Sequence, residues 1–170
     1  MHTAPATTPP PAAPREPRTL PIAREAFVAA VRRDTPGTDL PRYVEALDAL
    51  LAWSTARPTA LAFRPDAAAG GGISFGRVGT KGVFWSVRPV RGAAPMLEIA
   101  PPAGTSLTDE GRAHAMATLN AHSRAVLADG DRLRIGFGAL KNAAARAAVF
   151  ALLDDLLAAT DAAAAATPRR

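Results

Sequence analysis

The side chains that could do chemistry in this 170-residue chain are few, and most of them are cationic. Of the three histidines, His2 stands near the start, while His114 and His122 are eight residues apart. On one helix their rings would be separated by about 12 Å along the axis, too far to share a metal whose imidazole ligands bind at about 2.1 Å. Glu110 and His114, at i and i+4, read as a charge pair on a helix face. There is no cysteine, which excludes a disulfide scaffold, thiolate-ligated zinc and a thiol nucleophile. Ser74, Ser86 and Ser123 have no visible base and orienting acid for a hydrolytic triad. A metal-dependent nuclease core needs an acid ahead of a strand that ends in acid-x-Lys. Asp66 and Glu98 could be its two acids, but Glu98-Ile99-Ala100 lacks the lysine, and Lys81 would have to reach in from another strand. No metal and no cofactor is expected from these spacings, and the reading leans away from an enzyme.

The stretch Gly70–Gly82 holds six glycines. It is not a phosphate-binding P-loop, because Gly76-Arg77-Val78-Gly79-Thr80-Lys81 transposes Thr and Lys and runs into a strand instead of a helix. Nor does it open a helix as a dinucleotide fingerprint does. It reads as a flexible loop followed by a bulged hairpin. No acid occurs between Asp66 and Glu98, whereas Arg77, Lys81, Arg88 and Arg91 do. Cations beside an aromatic can neutralise phosphates while the ring stacks on a base, and Phe84 is the ring on offer. Trp85 alternates toward the core, and Glu98 is a cross-strand partner for Arg88.

The formal net charge of +5 needs dividing. Residues 1–21 contribute +1 and the last two arginines +2, which leaves 16 basic against 14 acidic residues in between. The central part is nearly balanced, so local placement of charge matters more than its total. Only Lys81 and Lys141 are lysines; arginine suits bidentate contact with phosphate or carboxylate.

These residues must be positioned by elements that periodicity locates. Residues 1–21 carry seven of the 16 prolines and few large apolar side chains, so they read as a disordered, proline-rich arm serving as a tether. A single α+β domain is expected over 22–160, followed by an alanine-rich helix end and a frayed basic tail over 161–170. The spacing predicts helices over Ala23–Arg33 and from Asp39 to about Ala56, the second buried through Tyr43, Val44, Leu47, Leu50 and Leu51. Trp53 lies off that stripe. After Pro58 the period shortens to two, predicting strands at Thr59–Phe63, Ile73–Val78, Gly82–Arg88 and Met96–Ala100. A helix is predicted over Thr108–Ala128, a strand over Arg132–Phe137, and a last helix from Asn142 to Ala159.

This order gives a two-layer α+β fold: a mainly antiparallel sheet of four to five strands with helices packed on one face. Alternation turns Val83, Trp85, Val87, Leu97, Ile99, Leu133, Ile135 and Phe137 toward the helices. It leaves Phe84, Ser86, Arg88, Glu98, Arg132 and Arg134 on the other face, an assignment that a one-residue slip would reverse. The functional expectation is a small non-enzymatic binding module that contacts nucleic acid, DNA or RNA, through Arg77, Lys81, Arg88, Arg91, Arg132, Arg134 and Phe84. The alternative is a protein-interaction or self-association domain using its last helix or the open sheet face. No apolar run is long enough to span a bilayer and no signal-like stretch is present, so a cytoplasmic protein without membrane contact is expected.

Overall fold

The computed structural model describes residues 18–34, 39–65, 71–101, 107–124, 126–127 and 132–166. Most of the proline-rich arm, Asp66, the Asp129–Asp131 turn and the terminal arginines lie outside the described residues. Two helices come first, α1 (Leu20–Asp34) and α2 (Leu40–Thr55). Four strands follow: β1 (Leu61–Phe63), β2 (Ile73–Arg77), β3 (Trp85–Val90) and β4 (Ala93–Ile99). Then come α3 (Asp109–Asn120), β5 (Val126–Leu127), β6 (Leu133–Gly136), a 3₁₀ turn (Phe137–Lys141) and α4 (Ala143–Ala166). The strands form one antiparallel sheet in the order β1-β2-β3-β4-β6-β5, which adds a two-residue edge strand to the expected set. Both edges are very short, which limits edge-to-edge pairing.

Strand parity is as the alternation predicts. Ile73, Val87, Leu97 and Ile135 pair in one row across four strands, and Phe75, Trp85, Ile99 and Leu133 in the next. All eight are at most 2% exposed. α1 packs on β2 and β3, α2 on β1 and the 3₁₀ turn, and α4 on that turn and on α3, so the helices share one side of the sheet. Trp85 stacks on Phe75 at 5.0 Å between centroids. Its indole N–H donates to Ser54 Oγ at 3.1 Å, and Ser54 Oγ donates to the Leu50 carbonyl at 2.9 Å, so these two buried side chains satisfy their own polar groups. Trp53, off the α2 stripe, is nevertheless buried. It stacks on Phe150 at 6.0 Å, and Arg57 lies 4.3 Å over its ring while bonding Asp154.

Three local expectations are corrected. α3 ends at Asn120 and not at Ala128. Its start is as read, with Thr108 Oγ1 accepting from the Gly111 N–H at 3.1 Å. Beyond it, pairing of Val126 with Arg134 and Leu127 with Leu133 outweighs the helix propensity of an alanine-rich segment, so His122 is off the helix that carries His114. β3 begins at Trp85 and not at Gly82, and Val83 is only half-buried. Phe137 sits in the 3₁₀ turn, fully buried against Phe27 and Tyr43. Between Arg88 and Val90 the β3–β4 register slips at Pro89, which has no N–H to donate to the ladder.

Tyr43 gives the fold a pH signature. It stacks on Phe137 at 6.2 Å, with Lys141 Nζ 4.9 Å from its ring centroid. Burial, and then the charge of Asp39, hold its phenol above the usual tyrosine range. The folded chain therefore keeps the phenolic proton more tightly than the unfolded chain. That contribution is whole below pH about 10 and is lost as pH rises through the raised folded-state value. Tyr43→Phe is expected to flatten the alkaline fall in stability while costing little at neutral pH. Parallel alkaline losses for both proteins in urea titrations would contradict this.

Candidate nucleic-acid interface

The side of the sheet away from the helices is built around one carboxylate. Ser74, Ser86, Glu98 and Arg134 pair in register across β2, β3, β4 and β6, so their side chains share this outer face. Glu98 accepts from Arg134 Nε through Oε2 at 2.6 Å and from Arg132 Nη1 through Oε1 at 3.2 Å. Arg88 Nη2 stands 3.7 Å from Oε2. The Glu98 side chain is 11% exposed, whereas those of Arg88, Arg132 and Arg134 are 51%, 55% and 39% exposed. One nearly buried acid thus bonds Arg134 of β6 and Arg132 just before it and attracts Arg88 of β3, while all three arginine side chains stay substantially exposed. Three of the sequence-predicted residues therefore converge, and Glu98 is their organiser instead of a free catalytic acid.

The end of the sheet at the β2–β3 turn adds two more cations. Gly76 shares the parity of Ser74, and a Cβ built there would point to the outer face and collide with the Gly82 carbonyl oxygen. The segment leading to Phe84 therefore curls back over the sheet, carrying Lys81 to that side. Arg64 holds the curl: its Nη2 donates to the Arg77 carbonyl at 2.6 Å and the Thr80 carbonyl at 2.5 Å. These acceptors are neutral, so Arg64 keeps its charge. Neither Arg64 nor Lys81 has a carboxylate partner among the described residues. Arg64 was not among the predicted residues. Its position one residue beyond a strand, at the parity of Ala62, was the available signal.

Three other predicted residues do not join this face. Phe84 has outer-face parity but is 1% exposed: its N–H bonds the Phe75 carbonyl, its carbonyl accepts from Ala100, and its ring belongs to the core. It is closed to a base. Arg77 has the parity of Ile73 and Phe75 and so leans to the helix side. Arg91 lies in the β3–β4 turn beside α1, where Gly92 N–H bonds the Asp34 carbonyl at 3.1 Å. Chiefly through its bond with Arg33, and in smaller part through Arg91, Asp34 is held below the usual carboxylate range.

Away from this face several charged groups pair with one another, among them Arg24 with Asp48 and Arg57 with Asp154. A cavity of about 810 Å³ lies among Arg42, Glu45, His122, Lys141 and Arg146, where Arg146 Nη2 pairs with Glu45 at 2.9 Å and Lys141 covers Tyr43. The nuclease arrangement is not assembled by the described residues: Glu98 is held by arginines, and Asp66 lies outside them. Among the described residues no three His, Asp or Glu side chains gather to hold a metal, and no helix is long and apolar enough to cross a membrane. No family model, curated protein or solved structure matches the chain.

Proposed function

We propose that this protein is a non-enzymatic binding module whose helix-free sheet face holds nucleic-acid phosphates. One observation carries the reading: Arg64, Lys81, Arg88, Arg132 and Arg134 collect on that side, and Glu98 is the one acid at an outer-face position of the described strands. The surplus is local, in a chain whose central part is nearly neutral. Cations so placed attract a polyanion by releasing its condensed counterions, and arginine adds bidentate hydrogen bonds to phosphate oxygens.

The alternative is association through α4 or an uncovered sheet surface. Ala145, Val149, Leu152, Leu153, Leu156 and Leu157 of α4 are already buried within this chain. Among the residues whose side chains are described, Ile22 and Val78 are the only large apolar ones that stand exposed, too little for a hydrophobic assembly surface. The charged face is the better-supported contact.

The test is electrophoretic retardation of DNA at low salt by the full chain. Replacing Arg88, Arg132 and Arg134 by alanine, with Glu98→Gln in the same chain so that no buried carboxylate is stranded, is expected to weaken binding about tenfold or more. Arg77→Ala with Arg91→Ala is expected to change it far less. The reverse order, or no retardation by the unaltered protein, would overturn the proposal.

A further inference from the structure

We infer that the partner is a nucleic-acid duplex, gripped by its backbone without regard to base sequence. This inference rests on the reading just proposed and adds the class of nucleic acid. The observation behind it is the fate of the aromatic side chains. The chain has nine: six Phe, two Trp and one Tyr. Every one lies among the described residues, and none is exposed. Phe27, Tyr43, Trp53, Phe75, Phe84, Trp85 and Phe137 are in the core, while Phe63 and Phe150 pack against it.

Binding of a single strand depends on rings on which successive bases stack, in addition to a cationic track for the backbone. This protein offers the track without the rings. Arginine planes could substitute, but two of the three central guanidinium groups are hydrogen-bonded to Glu98 within the sheet surface. What remains is charge, and charge favours the duplex. It carries one phosphate per roughly 1.7 Å of axis, and its binding constant falls with salt as about −0.9 per phosphate neutralised, against about −0.7 for a single strand.

Base readout has no instrument here either. Sequence is read by an element inserted into a groove, most often a helix. The helices lie on the opposite side of the sheet, and the outer-face positions between the arginines are small or unbranched: Ser74, Gly76, Ser86, Met96 and Gly136. Such a surface touches phosphates and slides.

Fluorescence anisotropy with the full chain decides it. The probes are a mixed-sequence DNA duplex, each of its separated strands, a second duplex of unrelated sequence, and the first duplex made as RNA. The expected result is binding to duplex DNA or duplex RNA about tenfold tighter than to either strand, with the two DNA duplexes within about threefold of each other. Equal or tighter binding to a single strand, or a strong preference between the DNA duplexes, would overturn this inference and leave the anionic-contact reading standing. Binding to none of the probes would overturn both.

Discussion

Replacing Gly76 by alanine is expected to lower the free energy of unfolding by about 3 kcal/mol, the range in which a forced overlap inside a packed region falls. The reason is space, not backbone freedom. Gly76 is in regular strand geometry and is absent from the glycines with positive φ. A methyl group there would overlap the Gly82 carbonyl oxygen and sit 2.6 Å from Arg64 Nε. The carbonyl is backbone and cannot swing aside, so the curl must lift off the sheet. With it go the bonds from Arg64 to the Arg77 and Thr80 carbonyls and the placement of Lys81. Gly79 is the control. Its φ is +78° with nothing within 4 Å of a Cβ, so alanine there pays only for a left-handed conformation, about 1 kcal/mol. For a chain of this size the pair should separate clearly, with Gly76→Ala lowering Tm by about 6–12 °C and Gly79→Ala by about 2–4 °C. Equal losses in thermal unfolding would show that the curl does not need the close approach at Gly76.

Glu98→Gln is expected to move stability and binding in opposite directions. In the folded protein its carboxylate oxygens satisfy Arg132 and Arg134 and attract Arg88. The amide removes the charge and offers one acceptor oxygen to three guanidinium groups. Breaking a fully buried pair costs roughly 3–5 kcal/mol, but these arginines are about half exposed and water offsets much of that, so about 2 kcal/mol is expected. The same change raises the net charge of the face by one unit and frees N–H groups that Glu98 had occupied. Affinity for a polyanion at low salt should therefore rise several-fold even as the protein becomes easier to unfold. A variant that loses both stability and affinity would mean that Glu98 positions the arginines so strictly that their charge is useless without it. A variant unchanged in stability would mean that the ion cluster contributes nothing to the fold.

The layer architecture was legible because the inner strand positions alternate without a break. Trp85 and Val87, Leu97 and Ile99, and Leu133 and Ile135 each skip a polar or charged residue, and period two admits one arrangement once a single face is apolar. The same count correctly put Arg88, Glu98, Arg132 and Arg134 together. It failed at Phe84, which stands one residue before β3 begins and is buried in the core, because alternation gives the side of a sheet and not the burial of a residue at the strand's entry. Arg77 was grouped with the site by its place in an acid-free stretch, although counting from Phe75 assigns it to the helix side. Arg64 escaped notice since its partners are carbonyls in the turn, 13 and 16 residues further on, which carry no side-chain signature. The overlong third helix has a similar origin. Alanine-rich sequence favours helix locally, but β5 forms through a ladder with β6, and that preference lives in the partner strand.

Whether the arginines around Glu98 meet phosphate is measured most directly by the salt dependence of duplex binding. With five cations against one carboxylate, the slope of log Kobs against log salt concentration should be about −4 for the unaltered protein. In the chain lacking Arg88, Arg132 and Arg134 and carrying Glu98→Gln, only Arg64 and Lys81 remain, and the slope should fall to about −2. A slope near zero in the unaltered protein, or one that survives removal of the three arginines, would contradict that contact.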